Sequence, residues 1–229
     1  MNKQILALGL ALASIFVVST ANAALIDDFS SGNLALPGIN ATGPGDRGVS
    51  IQTGGMRGGT REISVENLSG DGTSTVIVAD SVLEISNGSN EQSNVTVSWS
   101  FVAADFTDGG FSTGILLSLM SPLDNIMDIV FNVSDGGNTS SFTTAYPDGA
   151  SGNDFFLAYA DFVGSADITA VASASIEISS PNVGFDVQIN SIETRPAPLV
   201  SVPEPSVILL LGAGLLGFSA SSMRSKKQS

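Results

Sequence analysis

The sequence predicts an all-β protein whose central part folds as an antiparallel β-sandwich. Three observations support this fold class. Short segments alternate apolar and polar residues with a period of two, which places one side of each strand in a core and the other toward water. Clusters of Gly, Asp and Asn separate these segments at turn positions. Helical periodicity is almost absent, and about a dozen short strands joined by such turns are typical of a sandwich.

The clearest predicted strand is Ser93–Val102, in which apolar side chains alternate with hydroxyl-bearing ones. Trp99 shares a side with the aliphatic residues of this strand, so we expect it in the core and not on a sugar-binding platform. The same alternation predicts strands at Ala170–Ile178 and Val183–Ile189. The other predicted strands are Leu25–Phe29, Val49–Thr53, Arg61–Glu66, Ser74–Ala79, Val82–Ser86, Gly114–Leu119, Ile126–Val133 and Ser140–Tyr146.

Two segments of the body are ambiguous. In Asp154–Val163 the aromatic residues are spaced as on one side of a helix, and we interpret the segment as a strand followed by a turn. Residues 40–60 contain seven glycines between Gly43 and Gly59, and predict a long loop around Val49–Thr53.

Residues 1–23 have the three parts of a secretory signal peptide. Lys3 supplies a positive charge, and residues 5–18 form the apolar segment. Ala21 and Ala23 are the small residues that signal peptidase accepts, so we expect cleavage before Ala24 and export of the body. An uncleaved N-terminal anchor helix is the alternative.

The C-terminal segment 203–229 combines a Pro-Glu-Pro triplet, an apolar stretch and a basic tail. Residues 207–223 are just long enough for a single transmembrane helix. The positive charges that follow would hold the tail in the cytoplasm and leave the body outside the inner membrane. These stop-transfer charges are Arg224, Lys226 and Lys227.

This arrangement resembles the PEP-CTERM sorting signal in both order and spacing. The matching motif is Val202, Pro203, Glu204, Pro205 and Ser206, followed by the short apolar helix and the basic tail. The resemblance implies recognition by an exosortase-type membrane protease of Gram-negative bacteria, often ones that make exopolysaccharide. It also implies a temporary inner-membrane anchor that is cut near the triplet, after which the body reaches the cell surface or the extracellular matrix of a biofilm. A permanent single-pass anchor is the alternative.

Composition excludes several functions for the body, which we place at 24–190 with a stiff Pro-rich linker at 191–202. The chain has no Cys and no His, which removes thiol nucleophiles, disulfides, Cys/His zinc sites and imidazole bases. From Ala24 to Val202 there are four arginines and 21 acidic residues, a net charge of −17. Such a surface repels nucleic acid and attracts cations, so we expect no nucleic-acid partner.

Short motifs in the body resemble exported bacterial domains of jelly-roll type, related in architecture to carbohydrate-binding modules. The motifs are Leu25-Ile26-Asp27-Asp28-Phe29-Ser30, Gly58-Gly59-Thr60-Arg61-Glu62-Ile63, Asp161-Phe162 with Asp167-Ile168-Thr169, and Phe185-Asp186-Val187-Gln188-Ile189. The resemblance implies that the last strand, 183–192, pairs near the first, and that a structural Ca²⁺ would be held by Asp27, Asp28 and, as a third ligand, Asp186. For Asp186, an outward orientation on its strand is the simpler explanation.

Other candidate sites rest on residue type alone. Several aspartates stand in or near glycine-rich loops, and their oxygen atoms would suit Ca²⁺: Asp105, Asp108, Asp135, Asp148 and Asp154. None of these loops has the residue spacing of an EF-hand. Asp beside Gly is also common in ordinary turns. Nothing in the sequence selects a carboxylate pair for glycoside hydrolysis. The sugar-contact candidates are Tyr146, beside a proline in a turn, and Tyr159.

The sequence therefore favours a non-enzymatic, exported surface or matrix protein that needs no cofactor and contacts extracellular polysaccharide. Signal peptidase and an exosortase-type protease would be its processing partners. A carbohydrate-binding module with a defined sugar site is the alternative, and a surface hydrolase is a further one. Two or three exposed aromatic rings on a sheet would favour the binding module, a uniform Ser/Thr/Asp surface the matrix protein, and paired carboxylates in a deep cleft the hydrolase.

Overall fold

The computed structural model describes residues 24–32, 34–53, 59–150 and 154–198, which form an antiparallel β-sandwich of two seven-stranded sheets. The all-β sandwich predicted from the sequence is confirmed. The predicted signal peptide, the sorting motif and the helix at 207–223 lie outside the described residues. Within the four described ranges, no helix is long and apolar enough to cross a membrane.

One sheet, called here the terminal sheet, contains both the first and the last strand. Its strand order is β11-β8-β14-β6-β5-β2, and β1 also pairs with β14. The strands are β1 (Ala24–Asp27), β2 (Leu34–Thr42), β5 (Thr73–Ala79), β6 (Val82–Asn87), β8 (Gly114–Leu119), β11 (Asp154–Ala158) and β14 (Asp186–Arg195).

The other sheet, called the opposite sheet, has the order β12-β10-β9-β13-β7-β4-β3. The chain passes repeatedly from one sheet to the other, so most neighbouring strands are distant in sequence. The strands are β3 (Arg47–Thr53), β4 (Thr60–Ser69), β7 (Gln92–Ala104), β9 (Met127–Ser134), β10 (Thr139–Tyr146), β12 (Val163–Gly164) and β13 (Val171–Ser179). Short 3₁₀ turns lie at Tyr159–Asp161 and Ile168–Ala170.

The two ends of the body meet, as the jelly-roll resemblance implies. β1 pairs antiparallel with β14, with Ala24 opposite Thr194 and Leu25 opposite Glu193. β14 continues to Arg195 and pairs with β8 over its last residues. Residues 191–195, which we expected in the linker, therefore belong to the sandwich, and the compact unit ends at Ala197.

β2 is a strand that the sequence did not predict. Pro37 and Gly38 interrupt its alternation, and its pairing with β5 shifts register between Leu34 and Ile39. A proline lacks the N–H that a central strand needs, but β2 lies at the edge of its sheet, where one side requires no partner. Gly38 has φ of +72°, and a Cβ there would lie 2.6 Å from the Val76 carbonyl oxygen, so the bend accepts only glycine.

The segment Asp154–Val163 is a strand followed by a turn, as predicted. β11 ends at Ala158, and the 3₁₀ turn that follows spaces the aromatic residues like one side of a helix. The two-residue strand β12 comes next and pairs with β10. Such a short strand leaves no alternation in the sequence, which explains why it was not predicted.

Apolar side chains from the inner sides of both sheets fill the core. Trp99 is only 1% exposed and stacks on Phe131 with ring centroids 6.4 Å apart, so its predicted core position is confirmed. In β7 the buried residues alternate with outward-facing ones along nearly the whole strand. Burial of large aromatic side chains of this kind contributes about 1.5–3 kcal/mol each.

The core also encloses a fully buried arginine, Arg61, which the sequence did not identify. One guanidinium nitrogen, Nη1, lies 2.8 and 2.7 Å from the two carboxylate oxygens of Asp27. Trp99 donates from Nε1 to the same carboxylate over 2.7 Å. An isolated buried charge is costly, and this pair is stabilised because both ions are hydrogen-bonded on several sides.

Arg61 also donates from Nε and Nη2. Nε donates to the Gln52 side-chain oxygen over 2.7 Å, and Nη2 donates to the Ser31 carbonyl oxygen over 2.6 Å. The guanidinium carbon lies 5.2 Å from the centre of the Phe29 ring. The arginine thereby joins β4 to β3 and to the chain that follows β1.

Asp27→Asn is expected to lower the free energy of unfolding by about 3–5 kcal/mol, because it leaves the buried Arg61 charge without its counter-ion. Asp28→Asn is the matched control. Asp28 is next in sequence, and its carboxylate accepts from the amide and hydroxyl of Ser30, so its replacement should cost about 1 kcal/mol or less. Urea unfolding of the two variants measures the difference. Equal losses would contradict the assigned role of the ion pair.

Candidate functional site

The outer side of the opposite sheet carries a continuous surface of small polar side chains. We call it the hydroxyl face. Adjacent strands present these side chains at the same level, because Ser98 of β7 pairs with Ser175 of β13, which pairs with Asn132 of β9. The members of the hydroxyl face are Thr96, Ser98, Ser100, Asn132, Ser134, Thr139, Ser141, Ser173 and Ser175.

The centre of the hydroxyl face is a depression of about 200 Å³. Its lining is formed mainly by β7, β9 and β13, whose side chains are too short to fill the space between them. Asn132 approaches the Ser175 hydroxyl at 3.5 Å. In the part of the chain that the structure describes, the hydroxyls of Ser98, Ser100 and Ser173 have no protein partner, which leaves them free to bond to a ligand or to water.

This surface follows directly from the alternation of the strands. In β13, the buried positions Ala174, Ile176 and Ile178 alternate with outward serines and Glu177. The sequence signal was therefore present, because Thr and Ser occupy the outer positions of β7 as well. What the sequence could not show is that β7, β13 and β9 are neighbours, since long connections separate them in the chain.

Carboxylates border the hydroxyl face. Glu62 lies opposite Ser98, and Glu177 lies opposite Thr96. Asp128 lies opposite Ser179, near the start of β9. Arg47 is on the edge strand β3, where its guanidinium group donates to the Ser64 hydroxyl over 3.3 Å. The border is thus mainly negative, in agreement with the net charge of the body.

The outer side of the terminal sheet carries a different depression, of about 270 Å³, which we call the acidic groove. Glu84, Asp124 and Asp186 contribute carboxylates to it, and Ser86 and Gln188 contribute neutral polar groups. Asp186 is exposed, as expected for an outward position on β14, and its carboxylate accepts from the Asn87 amide over 3.0 Å. The Asp124 carboxylate accepts from the Asp186 amide over 3.3 Å.

The three residues predicted as calcium ligands have different hydrogen-bond partners. Asp27 is the partner of Arg61, and hydrogen bonds from Phe29, Arg61 and Trp99 use both of its oxygens. The structure thus gives Asp27 a different role from the predicted one. Asp28 accepts from the Ser30 amide and hydroxyl, and Asp186 belongs to the acidic groove. Among the described residues, no three carboxylates are grouped so that they could hold a metal ion.

The predicted sugar contacts Tyr146 and Tyr159 are half-buried and packed against other rings. Tyr146 lies on Phe155 with ring centroids 3.8 Å apart. Tyr159 donates its hydroxyl proton to the Phe106 carbonyl oxygen over 2.6 Å and meets Phe162 edge to face. Within the described ranges, Phe111 is the one exposed aromatic side chain, and it lies in a loop outside both sheets.

Two loop carboxylates, those of Asp135 and Asp46, close turns. Asp135 accepts from the amides of Asp167, Asn138 and Gly137 and from the Asn138 side chain, and these bonds hold its pKa far below the ordinary value. Asp46 accepts from the amide and hydroxyl of Thr42 and from the next amide in the chain, which also lowers its pKa. Turn closure is therefore what these two side chains do.

Asp28 shows two opposing effects. Partial burial raises the pKa of its carboxyl group, but hydrogen bonds from the hydroxyl and the amide of Ser30, with a smaller contribution from the Arg61 charge, bring the pKa below its ordinary value. Asp28 therefore stays ionised near neutral pH, beside the buried pair formed by its neighbour.

Comparison with known proteins identifies the C-terminal segment. Residues 201–225 match the family described as the PEP-CTERM protein-sorting motif, which confirms the resemblance seen at Val202–Ser206 and directs export with membrane-associated sorting. The match covers the tail and leaves the body unassigned. No curated protein matches the chain.

Several solved structures resemble the body at low similarity. PfGH50B shares 15% identity at a TM-score of 0.39, over 58% of this chain and 22% of that one, so this chain spans about a fifth of its length. The solution structure of CtCBM11 shares 13% identity at a TM-score of 0.42, over 79% and 99%. The family 11 carbohydrate-binding module of the Clostridium thermocellum cellulase Lic26A-Cel5E shares 14% at 0.40, over 78% and 97%. At such TM-scores the resemblance supports no conclusion about a ligand.

Asp135→Asn is expected to lower the melting temperature at neutral pH. The melting temperature of this variant should also fall less than that of the wild type when the pH is lowered. A carboxyl group whose pKa is depressed by folding stabilises the protein above its unfolded pKa, near 3.9, and loses that contribution as the pH falls toward the folded value. Thermal unfolding between neutral and strongly acidic pH, with the exposed Asp71→Asn as control, measures this. An unchanged acid dependence in Asp135→Asn would be evidence against the turn's role.

Tyr146 is expected to ionise far above the ordinary range, because burial raises its pKa to about 12. Folding favours the neutral phenol of Tyr146 over the phenolate. Its contribution to stability is therefore complete below the unfolded pKa of about 10 and is lost as the pH rises toward 12. Ultraviolet titration of the wild type and Tyr146→Phe isolates this group, since the chain has two tyrosines. Ionisation of Tyr146 near pH 10 would mean that the ring is exposed and available to a sugar.

Proposed function

We propose that this chain is an exported, non-enzymatic surface or matrix protein whose hydroxyl face contacts extracellular polysaccharide. Its C-terminal signal would be processed by an exosortase-type membrane protease after transient anchoring in the inner membrane, and signal peptidase would remove the N-terminal segment. The body would then act at the cell surface or in the surrounding matrix.

The hydroxyl face is the observation that carries this proposal. Its side chains can both donate and accept hydrogen bonds, which matches the hydroxyl groups of a polysaccharide. Short side chains leave a shallow depression, so a polymer chain can lie across several strands and make many weak contacts at once. Repeated weak contacts along a polymer give useful affinity through avidity, without a deep pocket.

A carbohydrate-binding module with a single defined sugar site is the second candidate. Such a site is built around aromatic rings that stack on sugar rings beside a few polar groups. In this body, Trp99 belongs to the core, and Tyr146 and Tyr159 pack on neighbouring rings. These positions favour a polar contact surface over a stacking site.

A surface hydrolase is the third candidate. The acidic groove has the required residue type, because Glu84, Asp124 and Asp186 line it together. However, Asp124 and Asp186 bond to backbone amides, which gives each a structural role, and the groove lies on the outer side of a sheet. The favoured assignment is therefore non-enzymatic.

A paired substitution tests the contact surface. Ser98→Val together with Ser175→Val removes two hydroxyls from the centre of the hydroxyl face while keeping residues that favour strands. Each lost hydrogen bond is worth about 1 kcal/mol, so binding to polysaccharide purified from the producing bacterium should weaken about tenfold or more. Affinity electrophoresis in gels that contain the polysaccharide measures the change.

The matched control is Thr73→Val together with Ser86→Val, which removes two hydroxyls from the outer side of the terminal sheet. Thr73 is exposed near the start of β5, and Ser86 lines the acidic groove. This pair should leave binding unchanged. Loss of binding in the control pair, or unchanged binding after Ser98→Val with Ser175→Val, would assign the polysaccharide contact elsewhere.

The same assay with and without calcium addresses the proposed cation. A structural Ca²⁺ held by Asp28 or Asp186 remains a proposal, supported by the acidic character of the body. If Asp186 takes part, binding or thermal stability should respond to added Ca²⁺ in the wild type and not in Asp186→Asn. An identical response in both proteins would place the cation at another group.

A further inference from the structure

The nitrogen atom of Ala24 lies at a polar site formed by residues far away in the sequence. Ala24 is the first residue of β1, and its nitrogen donates to the hydroxyl oxygen of Thr194 over 3.3 Å. Thr194 is fully buried. The same hydroxyl oxygen lies 3.0 Å from the Ala24 carbonyl oxygen and 2.5 Å from a carboxylate oxygen of Asp108.

Asp108 is held in position by the loop that precedes β8. Ser112 donates its hydroxyl proton to the same carboxylate oxygen over 2.5 Å. The backbone of Asp108 is in the left-handed region, with φ of +51°, which is uncommon for a residue with a side chain. Such a conformation persists where the surrounding contacts enforce it. The carboxylate is thus directed at Thr194 by its own loop.

Ala24 is also the residue that the sequence places directly after the signal-peptidase site. Hydrolysis of the bond between Ala23 and Ala24 consumes one water molecule: the Ala23 carbonyl carbon gains the hydroxyl oxygen, and the Ala24 nitrogen gains a proton. The amide nitrogen becomes an α-amino group, which is protonated at neutral pH because its ordinary pKa is about 7.7–8.0. Processing therefore creates a positive charge at this site.

We propose that Asp108 and Thr194 form a built site for the α-ammonium group that removal of the signal peptide creates at Ala24. This inference rests on the export proposed above. The two hydrogen bonds through the Thr194 hydroxyl place the nitrogen and the carboxylate within about 6 Å, a range in which an opposite charge raises the pKa of an amine.

The other charged side chains near this site are paired or hydrogen-bonded to other groups. On β14, Glu193 and Arg195 are paired with each other at 2.7 Å. The Asp105 carboxylate accepts from the amides of Thr107 and Gly109 within its own loop. On β1 itself, Asp27 is paired with Arg61, and Asp28 is bonded to Ser30. β8 carries no charged residue along its length.

The proposed site links processing to the core of the sandwich. β1 is only four residues long, and it carries Asp27, the counter-ion of the buried Arg61. An ammonium group fixed at Ala24 holds the start of this short strand on β14, while Asp27 holds its end. The mature chain should accordingly be more stable than a chain that still carries residues before Ala24.

Defined N-termini test the proposal directly. Chains that run to Ser229 and begin at Ala24 or at Ala23, prepared by tag cleavage and kept in detergent, differ in the position of the ammonium group by one residue. At pH 6 the chain beginning at Ala24 should melt about 2–4 °C higher. A group whose folded pKa is raised stabilises below its unfolded pKa, so this advantage should disappear as the pH rises through the folded value.

Asp108→Asn should abolish the difference between the two chains, because the carboxylate is its cause. Asp71→Asn, in the exposed turn at the other end of the sandwich, should preserve it. If Asp108→Asn prevents folding, NMR titration of the Ala24 amine in the wild type decides: the proposal requires a pKa about one unit above the ordinary value. An ordinary pKa, or an equal melting difference in Asp108→Asn, would overturn it. Neither readout involves sorting or polysaccharide, so failure here leaves the proposed function intact.

Discussion

The buried pair of Arg61 and Asp27 is the interaction on which the rest of the sandwich depends. A guanidinium charge in the core requires a counter-ion and hydrogen-bond acceptors, and the protein supplies them from β1, β3 and the chain after β1. Trp99 completes the shell around the carboxylate. The first strand is therefore needed for a stable core, because it carries Asp27, the counter-ion of the buried Arg61.

The outer sides of the two sheets carry different kinds of side chain. The opposite sheet presents short hydroxyl and amide side chains across β7, β13 and β9, and the terminal sheet presents carboxylates around Asp186. An acidic, hydroxyl-rich body that is attached to a sorting signal fits a protein that works by contact with a hydrated polymer.

The sequence predicted the fold class because alternation and turn residues are local signals. Ser93–Val102 and Gly114–Leu119 show how well such signals locate strands. It did not predict β2, where Pro37 and Gly38 break the alternation at a sheet edge. It also placed the end of the last strand too early, because Arg195-Pro196-Ala197-Pro198 is typical of a linker. The roles of Arg61 and the hydroxyl face depend on which strands are neighbours, and this is a property of the whole sheet. For the same reason, the sequence could not show that Asp27, which was predicted as a calcium ligand, is the partner of Arg61.

The most direct measurement is an NMR titration of the isotope-labelled protein with polysaccharide from its own bacterium. If the hydroxyl face is the contact surface, amide shifts should change along β7, β9 and β13, and the strands that line the acidic groove should remain silent. Changes confined to the acidic groove or to the loop that carries Phe111, with β7, β9 and β13 unaffected, would contradict the account.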